Sequence, residues 1–354
     1  MKSGMTCFMA MVLSIVANGL LAAEAPQVRQ LGDRIDSALS KMSDSGYGYS
    51  VLVSVDGKVV LQHAYGWTDA ARKCPTTERT LFNIASITKS FTAIAVLQLR
   101  HQGKLKLEDP LPVFFKNVPK GKQEITIEQL LTHTSGLAQH YAADGMRERN
   151  EAVQAILSDT LAFDPGTAFS YSNENYELLA AVIEVLTGKS YESYIRENIL
   201  AKANMAETRF WDEVGPESGC AVASTTRTLD ATTRAHNWGY VGSGGVYSTA
   251  GDLHRWFLAL AAGRLLDPES LDLMWKPHWT LTEANIAYGW FVSTTSGVRE
   301  LWTRGSEDWG HNGVLRWFPE RKVLVIVQSN SGERDDKNMT ANRLISDEIV
   351  KRVL

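Results

Sequence analysis

Apolar and polar positions alternate at the two ends of the chain and recur every three to four residues in the middle. The stretch YSVLVSVDGKVVLQHAYGW, residues 49–67, holds two β-branched runs separated by Asp56-Gly57, the signature of a hairpin. GVLRWFPERKVLVIVQSN, residues 313–330, repeats the design, with strands predicted around Val314 to Trp317 and Val323 to Gln328 and a turn at Pro319-Glu320-Arg321. A closing helix is predicted in NMTANRLISDEIVKRVL, residues 338–354. Between these ends the spacing is helical: Ser86 to about Arg100 closed near Gly103, Ile127 to about Thr132, Asn175 to Thr187 closed by Gly188, Tyr191 to about Leu200, and Thr249 to Ala262 closed by Gly263. The expected fold class is α+β. Strands from both ends (about 24–85 and 285–354) form one antiparallel sheet packed by helices, and a mainly helical insertion (about 86–284) borders it along a cleft.

Composition narrows the partners. With 44% hydrophobic and 21% charged residues the chain is ordinary globular protein, and a formal net charge of -4 offers no attraction to nucleic acid or to an anionic membrane surface. A small-molecule or peptide substrate remains open. At the N-terminus, Lys2 precedes an apolar stretch from about Cys7 to Leu21 and the small residues Ala22 and Ala23. This predicts a signal peptide over 1–23, a single domain over 24–354, a periplasmic or secreted location, and no stable membrane anchor after cleavage. Cys74 and Cys220 then remain, either bonded to each other or free. No Cys-x-x-Cys or His-Glu-x-x-His spacing occurs, so no metal is implied.

The candidate chemistry starts in LFNIASITKSFTAIAVLQL, residues 81–99, where Ser86 and Lys89 fall one helical turn apart on one face. A lysine there can take the serine proton if it spends part of its time neutral, which the apolar flank of Phe91, Ala93, Ile94 and Ala95 favours. A second group is Tyr171-Ser172-Asn173, after a Pro165-Gly166 turn and before an amphipathic helix. A tyrosine hydroxyl beside Lys89 can relay a proton, and an asparagine amide can both accept from the lysine and donate to a carbonyl. The third is His311-Asn312-Gly313 at the start of a predicted strand, where glycine admits a substrate backbone and the Val314 N–H can pair with the Ser86 N–H as an oxyanion hole. The similar His101-Gln102-Gly103 fits a helix C-terminus instead.

In this order the three groups resemble the serine β-lactamase and penicillin-binding superfamily, whose Ser-x-x-Lys signature carries the nucleophile. The Tyr-x-Asn second motif is similar to that of the class C branch, which includes β-lactamases, DD-peptidases, D-amino-acid peptidases and esterases. LLTHTSGL (130–137), GGVYSTAGDLHRWFLAL (244–260) and AYGWFV (287–292) are also similar to stretches of that branch. The resemblance implies a serine hydrolase forming an acyl-enzyme on Ser86, with Lys89 and Tyr171 sharing the acid and base roles. It places substrate on Asn173, His311, Gly313 and Val314, requires no cofactor, and points to a β-lactam, a D-peptide or an ester.

A departure bears on substrate: His-Asn-Gly stands where class C β-lactamases carry Lys-Thr-Gly, so a grip on a substrate carboxylate would be weaker and pH-dependent. Trp290, Trp302, Trp309 and Trp317 cluster around the third motif and can line an aromatic wall or pack the core. His133 reads as part of a structural loop, because the lysine already supplies the base. No Gly-x-Ser-x-Gly elbow supports an α/β-hydrolase triad. The rival from another class is a non-catalytic ligand sensor or scaffold of the same fold.

Overall fold

A computed structural model of the protein describes residues 29–40, 47–69, 71–215, 235–307, 310–331 and 339–354. The predicted signal peptide, Cys220 and Trp309 lie outside these residues; Cys74 is disulfide-bonded.

The Asp56-Gly57 turn forms as predicted. Both residues take left-handed backbone angles (φ 51° and 75°), the conformation a two-residue hairpin needs to follow the strand twist. It joins β1 (Tyr49–Val55) to β2 (Lys58–Tyr65). At the other end β10 (Asn312–Phe318) and β11 (Val323–Ser329) form the second hairpin, and β11 pairs antiparallel with β1 from Tyr49↔Ser329 to Val55↔Val323. Strands from the two chain ends therefore share one sheet. Its order is completed by β9 (Val298–Ser306), β8 (Trp290–Thr295), β7 (Asn285–Ala287) and β6 (Trp279–Thr280), giving β2-β1-β11-β10-β9-β8-β7-β6 with every pair antiparallel.

The central strands read as nearly continuous apolar runs because both faces of the sheet are covered. On one face Val51, Val53, Val325 and Val327 pack against Ile35 and Leu39 of α1 (29–39) and Ile345 and Ile349 of α10 (Ala341–Val353). On the other, Leu52, Leu315, Leu324 and Ile326 join the larger helical core. The centre of that core is α2 (Thr88–His101), buried from Thr88 to Leu99 and so apolar on nearly every side. Around it stand α3 (Ile127–Leu131), α4 (Arg149–Ser158), α5 (Asn173–Thr187), α6 (Tyr191–Ile195), α7 (Ala201–Ala203), α8 (Ala250–Ala261) and α9 (Pro268–Trp275). A small sheet of β3 (Phe82–Asn83), β4 (Arg209–Phe210) and β5 (Val246–Ser248), in the order β3-β5-β4, leads the chain into α2.

Boundaries differ from expectation where local bonding intervenes. Ser86 belongs to a 3-10 turn, Ala85–Ile87, and the α-helix begins at Thr88. The helix at Tyr191 ends at Ile195 and continues as a π-helical turn, Arg196–Leu200. α5 starts at Asn173, two residues earlier than its apolar spacing predicts.

Phe91 of α2 stacks on Trp256 of α8 (4.6 Å between ring centroids, 12° between planes), and Trp256 stacks in turn on Trp290 of β8, all three at most 1% exposed. This column ties α2 to the sheet through α8. Phe91→Ala should cost about 3–5 kcal/mol, measured as a lower urea midpoint with an unchanged slope.

Candidate active site

The site is built on the turn between β3 and α2. Asn83 is fully buried; its side-chain oxygen accepts the Ala85 N–H (2.8 Å) and its amide donates to Glu307 Oε1 (2.5 Å) at the end of β9. Ala85 is forced to a left-handed φ of 45°, a conformation that costs a non-glycine residue energy and persists because the surroundings dictate it. The turn then presents Ser86 at the mouth of the cleft.

Close approach of β9 holds the turn in place. A Cβ added at Gly305 would lie 2.1 Å from the Ile84 carbonyl oxygen and 2.8 Å from the Ser86 nitrogen, so only glycine lets the strand sit there. β8 pairs with β9 only as far as Phe291↔Trp302, whereas the pairing with β10 continues from Thr303 to Ser306. Beyond Trp302, alternate β9 backbone groups therefore face the cleft rather than another strand.

The sequence-predicted polar residues Ser86, Lys89, Tyr171 and Asn173 converge. Lys89, 3% exposed, donates from Nζ to Ser86 Oγ (3.1 Å), Asn173 Oδ1 (2.8 Å) and the Ser243 carbonyl (2.7 Å). Tyr171 Oη donates to Ser86 Oγ (2.7 Å). No carboxylate forms an ion pair with Lys89 among the described residues. Asn173 is the first residue of α5, which explains how one short segment supplies both a phenol and an amide. Glu174 fixes that helix start, taking the His140 and Tyr141 N–H groups (2.8 and 2.6 Å) on one oxygen and the Ser172 hydroxyl (2.7 Å) on the other.

Two cavities meet at Ser86, Tyr171 and Ser306. One, of about 320 Å³, is mainly apolar and includes Phe169, Tyr176, Ile286, Trp290 and Phe291. The other, of about 400 Å³, has a mixed lining that includes Gln139, Asp144, Tyr240 and Glu307. His133 lines the apolar one, and burial together with the nearby Lys89 charge pushes its imidazole down to about 3, so it is neutral. Glu177, one turn along α5 from Asn173, is fully enclosed and accepts from the Ser243 hydroxyl (3.3 Å). Burial, reinforced by the neighbouring Glu174, pushes its carboxyl well above the usual range. Among the described residues no group of three or more His, Cys, Asp or Glu could hold a metal.

The third predicted group is displaced. His311, Gly313 and Val314 lie on or beside β10, one strand beyond the cleft wall, and none of them lines either cavity. The register explains the shift: Gly313 pairs with Gly305 and Val314 with Arg304, so the pattern falls on the strand behind the one that touches Ser86. β10 is bonded on both sides, which occupies the Val314 amide in the sheet, and the Val314 side chain lines a separate cavity with Trp302 and Arg316. The His311 ring packs inward against Phe82 and Tyr247 (6.5 and 5.8 Å). The residues that do line the cleft, Thr303, Arg304 and Ser306, flank Gly305. Of the tryptophans, Trp290 reaches the cleft from the core, Trp302 stacks on Phe291 (4.2 Å) and Trp317 packs on Phe257 (4.9 Å).

The Beta-lactamase family profile matches residues 35–348. The chain belongs to the Beta-lactamase family. Among relatives, PbpX of Bacillus subtilis (strain 168), assigned by name to the penicillin-binding proteins, is 28% identical over 305 residues, covering 84% of this chain and 74% of PbpX. The octameric penicillin-binding protein homologue from Pyrococcus abyssi superposes with a TM-score of 0.74 at 26% identity, over 84% of this chain and 73% of that one. The D-amino acid amidase from Ochrobactrum anthropi SV3, solved with D-phenylalanine, shares the fold with a TM-score of 0.75 at 23% identity, over 92% and 99% of the two chains. Membership of the Beta-lactamase family places this chain among the serine hydrolases of that superfamily.

Glu177 gives this Beta-lactamase family member a measurable pH signature. The folded state keeps the carboxyl protonated where the unfolded chain ionises it, so this group's contribution to stability is full below its free value of 4.5 and falls as pH rises above it. Glu177→Gln removes the titration. Its Tm relative to wild type should climb between about pH 4 and about pH 7, and a constant difference across that range would refute the shift.

Proposed function

We propose that the protein is a secreted serine hydrolase of the class C-like branch that works through an acyl-enzyme on Ser86. The observation that carries the reading is the position of Ser86 Oγ, within hydrogen-bonding distance of both Lys89 Nζ (3.1 Å) and Tyr171 Oη (2.7 Å). Two of the three Lys89 partners, Asn173 Oδ1 and the Ser243 carbonyl, are pure acceptors, while the third is a hydroxyl that can also donate. A neutral amine therefore fits the same geometry, its two N–H groups on the acceptors and its lone pair toward the Ser86 proton.

In acylation, Ser86 Oγ attacks the substrate carbonyl carbon and its proton passes to the Lys89–Tyr171 pair. The carbonyl oxygen becomes an oxyanion held by the N–H groups of Ser86 and Ser306, the latter replacing Val314 in that role. As the carbon to leaving-group bond breaks, the pair returns the proton to the departing atom. Water then attacks the ester by the reverse route and frees Ser86. Lys89 and Tyr171 act as one coupled acid–base unit.

The apolar cavity beside Ser86 favours an ester or amide with an apolar or aromatic acyl group. The amidase neighbour, solved with D- and L-phenylalanine, is consistent with a group of that size. Where class C β-lactamases carry Lys-Thr-Gly, β9 offers Thr303-Arg304-Gly305, which keeps the glycine and moves the cation one position along. This departure disfavours efficient β-lactam hydrolysis. Export is supported by Lys2, the apolar stretch and Ala22-Ala23.

Ser86→Ala and Lys89→Ala should each lower hydrolysis of nitrophenyl esters by at least about 10³-fold with the fold intact. Intact mass spectra with a penicillin or a fluorophosphonate should show an adduct on wild type and none on Ser86→Ala. An active Ser86→Ala variant would overturn the assignment. Absence of both turnover and adduct on wild type would favour a non-catalytic ligand-binding protein of the same fold.

A further inference from the structure

His133 is a nucleophilic, titratable side chain at the cleft that the mechanism above does not use. No hydrogen bond joins it to Ser86 or Lys89, so it does not move the serine proton. Its contacts converge instead on the segment that carries Tyr171. The His133 carbonyl accepts the Ser170 N–H (3.0 Å), and its Nδ1 accepts the Ser172 N–H (3.3 Å), so both chain neighbours of Tyr171 are bonded to this one residue. Between those two bonds the imidazole lies against the phenol, with centroids 4.5 Å apart and planes at 29°.

We propose that His133 is a positioning residue that sets the Tyr171 hydroxyl on Ser86, acting as an uncharged hydrogen-bond acceptor for the backbone on the far side of the tyrosine. The inference rests on the acyl-enzyme reading. Because a backbone N–H can only donate, Nδ1 must be unprotonated, which fixes the tautomer with the proton on Nε2. The surroundings enforce that state. The Asn175 side-chain amide lies 3.2 Å from Nδ1 and is itself oriented by Ser135, whose hydroxyl donates to the Asn175 oxygen (2.5 Å). The aromatic rings of Phe169 and Tyr176 pack nearby (6.0 and 5.1 Å), and Lys89 is the charged group whose field opposes a second proton.

The Lys89 Nζ lies 5.0 Å from the Tyr171 ring centroid and 5.8 Å from that of Tyr176. A phenol free to swing about its own backbone would lose both the lysine and the serine. The 2.7 Å contact with Ser86 therefore depends on the segment being pinned on either side. His133 itself has a left-handed φ of 58°, which asparagine tolerates better than other residues do. Asparagine also carries an oxygen near the place of Nδ1. His133→Asn thus preserves the acceptor and the backbone but loses the ring, whereas His133→Phe preserves the ring and loses the acceptor.

The test uses a neutral nitrophenyl ester, with fluorophosphonate labelling of wild type as the check on the parent reading and thermal melts as the check on folding. His133→Phe should lower kcat about 30-fold with KM within about twofold, and His133→Asn should stay within about threefold of wild type. Combined with Tyr171→Phe, the His133→Phe change should add less than about a twofold further loss, because it acts through the tyrosine. Should His133→Phe fail to fold, His133→Ala, which admits water to the Ser172 N–H, should show the same kcat loss and the same non-additivity. A His133→Phe or His133→Ala enzyme as fast as wild type, an asparagine variant as slow as the phenylalanine one, or fully additive losses would each overturn the proposal while leaving Ser86 as nucleophile. A wild type that neither labels nor turns over would instead remove the acyl-enzyme reading, and this inference with it.

Discussion

The distance between one strand and one turn governs the cleft. β9 approaches the Ile84–Ser86 backbone so closely that residue 305 has no room for a side chain, and that contact brings a sheet built from both chain ends against a helix from the middle. A larger gap would move Ser86 away from the end of β9 that runs past its pairing with β8. A smaller one would collide with the Ile84 carbonyl. The left-handed Ala85 and the Asn83 bridge to Glu307 are the local adjustments that make this spacing possible. Backbone strain at Ala85 is thus held by contacts from Asn83 and from β9 rather than by the residues of the turn alone.

Around that contact the polar groups form a closed set. Lys89 has no carboxylate partner among the described residues and is instead surrounded by a hydroxyl, an amide oxygen and a carbonyl. Neutral acceptors can hold the amine in either protonation state, which an ion pair would not allow without a large energetic difference between the two. The buried Glu177, whose carboxyl is pushed well above the usual range by burial, fits the same picture of a site enclosed by neutral groups.

Much of this was legible in the order of the residues. The Asp56-Gly57 turn, the β10–β11 hairpin and the buried α2 follow from local rules, since each depends on its own turn chemistry or on continuous apolarity. Ser86, Lys89, Tyr171 and Asn173 could be picked out because proton transfer restricts which residue types serve, and the structure brings those four together. The third group could not be placed in the same way. Two neighbouring strands both carry a glycine at the decisive level, Gly305 and Gly313, and which of them touches Ser86 is set by sheet order, a long-range property with no local mark. Gly305 had one overlooked signal: it closes the second strand of a hairpin whose Ser296-Gly297 turn has the same left-handed pair of angles (51° and 77°) as Asp56-Gly57. β8 and β9 were missed because their half-exposed outer positions break the apolar run. α4 was missed because its apolar face is short, with only Ala152, Val153, Ile156 and Leu157 buried.

The pairing of β1 with β11 joins residues as far apart as Tyr49 and Ser329. The centre of such a sheet cannot form until β11 has followed β1 out of the ribosome, because the two strands pair with each other. The entropy of closing so long a loop must be met before any of the central pairing is gained, which places this fold among the slower ones. Until then Ser86, Lys89 and Tyr171 can be present on their own segments without the β9 wall that completes the cleft. Order of emergence from the ribosome thus separates possession of these residues from possession of the cleft.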